Sequence, residues 1–237
     1  MPGRETVFLL PGLLCDATVW RRQAAALAGS HAVEVAEFFG LDSIADMAAH
    51  VLARAPLRFS VAGHSMGGRV ALEILRMAPE RVDRLALLDT GVHPRRPGEA
   101  EKRQELVDLA HAQGMRALAG SWLPPMLHPD RRGDADLMAA LTAMVCRATP
   151  EIHEGQIRAL LGRPDAAAQL PGIAVPTLLV CGRQDGWSPL DQHEAMAAST
   201  CPARACVSAL PNAAIRPYRL SVPARLTTSS NCAAASS

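Results

Sequence analysis

Residues 57–79, LRFSVAGHSMGGRVALEILRMAP, constrain this chain more than any other stretch. An apolar, β-leaning run over 57–62 leads into Gly63-His64-Ser65-Met66-Gly67, and a helix-forming run over 68–78 stops before Pro79. Gly63-x-Ser65-x-Gly67 between a strand and a helix is the setting of a nucleophile elbow. Turning so sharply forces Ser65 into strained backbone geometry, and a side chain at either glycine would collide with the adjoining elements. The Ser65 hydroxyl then stands clear of the sheet, at the positive end of the helix. The pattern alone is short. The strand before it, the helix after it and the extra Gly68 give it weight over a glycine-rich turn with a chance serine.

The surrounding chain repeats the strand–helix theme. Apolar strands are predicted over 6–10, 32–37, 82–88 and 176–181, with a last one over 203–210. Helices are predicted over 19–28, capped by Thr18, over 44–55, capped by Ser43, and over 191–199. Near-continuously hydrophobic strands separated by helices predict an α/β fold with a parallel sheet and helices on both faces. Between residues 93 and 170 the strands disappear. Helices over 99–119, 134–148 and 150–161, and a loop over 121–129 carrying Trp122 and Met126, read as a helical cap inserted over the sheet. The expected organisation is a first core part (1–92), the cap (93–170), a second core part (171–210) and an atypical Ser/Thr/Ala-rich tail (211–237). A chain of 237 residues suits one such domain with an insertion.

Composition excludes several classes. The net charge of +1 comes from interspersed acids and bases, so no basic face addresses nucleic acid. Aromatic residues make up 3%, too few for stacking platforms. The six cysteines show no CxxC or metal-ligand spacing, which predicts reduced thiols, no metal and a cytoplasmic protein. No stretch approaches the ~20 apolar residues of a membrane span. The opening MPGRETVFLLPG reads as a strand rather than a signal peptide.

Three features together resemble the α/β-hydrolase superfamily, in particular small bacterial esterase-like members with a helical cap. They are the Leu9-Leu10-Pro11-Gly12 turn with Trp20 beyond it, the elbow over 63–67, and a strand followed by an acid over 178–185. The resemblance implies Ser65 as nucleophile and Asp185 as the acid that orients a histidine, in the order serine, acid, histidine. It places the oxyanion-hole N–H groups on Leu13 and on Met66, the residue after the nucleophile. Trp122 and Met126 are possible substrate-lining residues, though both fit a cap core as well. Asp185 also reads as a simple turn aspartate, and Asp89, closing the preceding strand, is the second choice of acid. No metal or organic cofactor is implied.

The triad base does not follow the pattern. Where the family has Gly-His after the last strand, this chain has Asn212-Ala213-Ala214-Ile215, and no histidine follows His193. His193 reads as a surface residue on a helix, and His64 as the elbow's variable residue pointing elsewhere. His93, at a strand end, is the substitute expected to border the site. His128 and the remaining histidines have no reason to approach Ser65. Codons exist for Ala213-Ala214-Ile215 that read Gly-His two nucleotides later, so the tail has the look of a frameshift. Sequencing the gene across the tail tests this.

The expected activity is hydrolysis of a small-molecule ester, or a related acyl bond, through an acyl-enzyme on Ser65, impaired by the missing histidine. Thioesterases, lactonases and carbon–carbon hydrolases use the same machinery. The alternative is a non-catalytic protein of this fold that binds a small apolar ligand or signals.

Overall fold

The computed structural model describes residues 4–200 and 205–210. Six parallel strands form one sheet in the order β2-β1-β3-β4-β5-β6. In chain order these are β1 (Thr6–Leu10), β2 (Ala32–Val35), β3 (Phe59–His64), β4 (Val82–Leu88), β5 (Thr177–Gly182) and β6 (Ala205–Leu210). The helices are α1 (Ala17–Leu27), α2 (Ile44–Arg54), α3 (Met66–Met77), α4 (Glu99–Met126), α5 (Ala135–Val145), α6 (Pro150–Leu161) and α7 (Leu190–Ser199).

Strand alternation divides the core between two faces. Phe8 and Leu10 of β1 join Val61 of β3 and the buried sides of α2 and α3, including Met47, Val51, Val70 and Ile74. Phe8 and Phe59 meet edge to face with ring centres 5.5 Å apart. Val7 and Leu9 face the other way, against Trp20 of α1, with Leu88 and Val180 beside them.

Local signals explain most boundaries. Ser43 accepts from the Asp46 N–H and opens α2, and Thr149 accepts from Ile152 before Pro150 opens α6. Asp16, not Thr18, caps α1: its carboxylate accepts from the Thr18 N–H at 2.8 Å. The loop expected over 121–129 is helical as far as Met126. The buried spacing of Met115, Leu118, Ala119 and Leu123 carries the helix onward, and Pro124 and Pro125 fall only in its last turn. Gly114 (φ 82°) kinks α4 midway, a conformation that favours glycine.

Helices α4, α5 and α6 lie between β4 and β5 and pack on one another, forming an all-helical insertion. The expected tail over 211–237, with the proposed frameshift, lies outside the described residues.

Candidate active site

Among the described residues, the non-glycine residues with positive φ are Leu14 (57°), Ser65 (53°) and Asp89 (45°). Each follows the C-terminal end of one of three neighbouring strands, β1, β3 and β4. Strain of this kind amounts to about 1–3 kcal/mol per residue and persists where surrounding structure holds it. Here the holding contacts are explicit. The Ser65 N–H donates to the Leu88 carbonyl at 2.8 Å. The Thr90 hydroxyl donates to the Ser65 carbonyl at 2.7 Å. The Asp89 N–H donates to the Val180 carbonyl at 2.9 Å.

The elbow glycines are sterically required. A Cβ on Gly63 would overlap the Gly67 carbonyl, and one on Gly67 would overlap the Leu10 carbonyl. Both obstacles are backbone and cannot swing aside.

Ser65 lines a cavity of about 490 Å³ between the strand ends and the helical insertion. The expected residues Leu13 and Asp185 line it too, as do Trp122 and Met126. Met66 is the first residue of α3, so its N–H belongs to the helix terminus that lacks intrahelical partners. Asp185 combines two roles. Its Oδ1 accepts from the Trp187 and Ser188 N–H groups, at 2.7 and 3.0 Å, which fixes the turn after β5 while the residue faces the cavity.

Asp89 sits beside it. Burial and then the nearby Asp185 charge hold the Asp89 carboxyl well above the usual carboxylate range, against the opposing Gly182 N–H, which donates to Asp89 Oδ1 at 3.1 Å. Its Oδ2 has no hydrogen-bond partner among the described residues and lies 3.8 Å from His64 Nε2.

The histidines depart from expectation. His64 does not point elsewhere: it is buried and lines the same cavity as Ser65. Residue 64 ends β3, where the strand gives way to the elbow, so its ring lies across the strand ends. Burial pushes its imidazole down to about 4, opposed by the Asp185 charge. His193 is not a surface residue but fully buried. Its Nδ1–H donates to the Pro189 carbonyl at 3.1 Å, leaving Nε2 to accept from the Thr90 N–H at 3.4 Å. It therefore fastens α7 to the end of β4. His93 is not among the cavity-lining residues. Its ring lies against the Pro94 carbonyl and Arg163. His128, which had no reason to approach, lines the cavity from the end of α4, next to Arg132.

Sequence reasoning also missed Gln156. It sits on the buried side of α6, and its Oε1 accepts the Leu14 N–H at 2.8 Å. A polar residue beside buried Ile157 and Leu160 was the available signal. Groups of three or more His, Cys, Asp or Glu able to hold a metal are absent among the described residues.

A model of the alpha/beta hydrolase family matches residues 7–213. This chain belongs to the alpha/beta hydrolase family. The pimeloyl-[acyl-carrier protein] methyl ester esterase of Pectobacterium carotovorum is 30% identical, with 79% of this chain and 78% of that protein covered. The enzyme of the same name from Nitrosomonas europaea is 31% identical over 63% of this chain and 62% of its own. Among solved structures, a thermophilic esterase from Thermogutta terrifontis superposes with a TM-score of 0.79 at 25% identity, covering 91% of this chain and 85% of that one. The enol-lactonase of Burkholderia xenovorans shares the hydrolase fold at a TM-score of 0.80 and 23% identity, covering 90% and 85%.

Proposed function

We propose that this alpha/beta hydrolase cleaves a small ester through an acyl-enzyme on Ser65. The observation that carries this is the Ser65 backbone, held at φ 53° and ψ −113° at the head of α3 and on the wall of a cavity shared with Asp185. A hydroxyl so placed attacks an acyl carbon from the sheet side. The Leu13 and Met66 N–H groups receive the developing oxyanion, each worth about 3–4 kcal/mol of transition-state stabilisation. Asp185 is the acid of the site.

The cavity wall contributed by Trp122, Pro125, Met126 and Leu127 is apolar and suits a medium-length acyl chain. The named relatives act on a methyl ester, which makes an alkyl ester of a carboxylic acid the substrate class of choice. Of the arginines on the insertion, Arg103, Arg147 and Arg158 pair with Glu99, Asp16 and Asp42. Arg132 is the one that reaches the cavity, where it would meet an acidic group at the mouth. Residues 93–170 serve as the cap in this scheme, and the protein works in the cytoplasm.

Turnover should be slow relative to the esterase relatives. Position 215 and its neighbours supply no imidazole, and losing one triad member leaves only about 10³–10⁴-fold acceleration over water. The same feature favours a second role, as a binder of a small apolar acyl compound. Hydrolysis of p-nitrophenyl butyrate by the full chain separates these. Measurable turnover abolished by Ser65→Ala supports the esterase. A ligand-induced rise in Tm without turnover supports the binder.

A further inference from the structure

The amides of Leu13 and Met66, proposed to receive the oxyanion, donate to no acceptor among the described residues. Met66 owes this to its place at the head of α3. Leu13 lies in a turn, which needs a restraint of its own. We infer that Gln156, on helix α6 of the insertion, is a positioning residue for the reaction: by accepting the Leu14 N–H it holds the turn after β1 in the form that keeps the Leu13 N–H beside Ser65. This rests on the proposed roles of Ser65, Leu13 and Met66 and goes on to name what holds one of the donors.

The turn packs directly against the elbow. A Cβ built on Gly12 would lie 3.3 Å from Ser65 Cβ, and one on Gly67 would lie 2.7 Å from the Pro11 carbonyl oxygen. The Cys15 N–H donates to the Gly12 carbonyl at 3.1 Å, closing a four-residue turn with Leu13 and Leu14 at its centre. In a trans peptide the C=O and N–H point opposite ways. The Gly12 carbonyl faces into the turn, so the Leu13 N–H of the same peptide unit faces out of it.

Leu14 has φ 57° and Leu13 does not have positive φ. That is the pattern of a type II turn, whose third residue is ordinarily glycine. A type I turn closes the same four residues with the central peptide flipped, and its third residue then has negative φ, where leucine is unstrained. Local preference therefore favours the flip, and something outside the turn must oppose it.

Gln156 is that opposition. Its Oε1 accepts the Leu14 N–H at 2.8 Å, and its side chain is buried. After a flip the Leu13 carbonyl would face Oε1 in place of the N–H, setting two acceptors against each other. The flip also changes the backbone of Leu13 itself, so the Gly12–Leu13 peptide and its N–H would tilt away from their line. Packing alone does not call for a glutamine here. Its Nε2 is buried with no hydrogen-bond partner among the described residues, a cost that an apolar side chain of the same length would avoid.

The test is hydrolysis of p-nitrophenyl butyrate and fluorophosphonate labelling by the full chain, with melting curves to confirm that each variant is folded at the assay temperature. Gln156→Met keeps the length and removes the acceptor. It is expected to lower kcat and the labelling rate about 10-fold with KM within about twofold, because the donor is misaligned only where charge develops. Gln156→Asn, too short for the same contact, should fall alike and serves the comparison if Gln156→Met does not fold. Gln156→Glu keeps an acceptor at the same reach and should stay within about threefold of the unmodified chain. Arg147→Ala loosens the insertion without touching the turn's central peptide, and should leave both rates unchanged. Unchanged rates in folded Gln156→Met or Gln156→Asn, a rise in KM alone, an equal fall in Gln156→Glu, or an equal fall in Arg147→Ala each overturns the inference while leaving Ser65 as nucleophile. An unmodified chain that does not label, or labelling that survives Ser65→Ala, removes the esterase proposal itself and the inference with it.

Discussion

The backbone N–H of Leu14 donates to Oε1 of Gln156 at 2.8 Å, tying the strained turn after β1 to helix α6 of the insertion. Leu14 has positive φ and neighbours Leu13, the proposed oxyanion donor. Gln156→Leu removes the acceptor and strands a buried N–H. The expected loss is about 1–3 kcal/mol in chemical denaturation, with faster hydrogen exchange at the Leu14 amide. Arg147, between α5 and α6, ties the insertion to the start of α1 through Asp16 and Thr18. Being half-exposed, it should matter less: Arg147→Ala is expected to change stability by about 1 kcal/mol or less.

Glycine substitutions should separate the elbow from the rest of the chain. At Gly67 a methyl group meets the immovable Leu10 carbonyl. Gly67→Ala is expected to lower stability by about 3 kcal/mol or to prevent soluble expression. Gly120, in α4, has nothing within 4 Å of a built Cβ. Gly120→Ala should raise stability by about 0.5–1 kcal/mol, because alanine loses less freedom in a helix. Thermal melts of both variants check the contrast.

The contrast between what was legible in the sequence and what was not follows from the range of the forces involved. The elbow, β4 and α6 were legible because local rules decide them: two glycines with backbone behind them, the apolar run over 85–88, and a Thr149-Pro150 start. The place of Asp185 on the cavity wall was legible from its position after an apolar strand. Asp16 outcompeted Thr18 as a cap because its longer reach meets the Thr18 N–H. His64 and His193 were misread because burial of a histidine depends on what packs over it. For His193 a clue existed, since Met196 shares its face of α7 and is also buried. His128 and Arg132 were invisible, since only the folded insertion carries them across to the strand ends.

The Asp89–Asp185 pair sets a pH dependence of stability. The Asp89 carboxyl is raised above its unfolded value of 3.8 by burial and by Asp185. The folded state thus holds a proton that the unfolded state releases. The associated stability is fully present below about 4 and is lost as pH rises through the raised folded value. Asp89→Asn keeps an acceptor for the Gly182 N–H and never ionises. It should melt higher than the unmodified chain at pH 8, with the difference closing as pH falls toward 4. Melting curves across this range check it.

Glu99 behaves oppositely. Burial tends to raise its carboxyl, but hydrogen bonds from Arg163 and Arg103 prevail and hold it at about 2, below the ordinary 4.5. The stability it confers is present above 4.5 and is lost as pH falls through 2. Its partner Arg163 is 2% exposed and also donates to the Leu160 and Pro94 carbonyls, joining the start of α4 to the end of α6. Glu99→Gln should remove about 3 kcal/mol at pH 7 by leaving that guanidinium short of a counter-charge. The loss should shrink below pH 4, as measured by urea denaturation.

The most direct measurement is where a fluorophosphonate attaches. Peptide mapping of the treated chain is predicted to place a single adduct on Ser65, absent from Ser65→Ala, with hydrolysis of a p-nitrophenyl ester lost in parallel. An adduct on another residue, or ester hydrolysis undiminished in Ser65→Ala, would contradict the claim that the strained turn at the head of α3 presents the nucleophile.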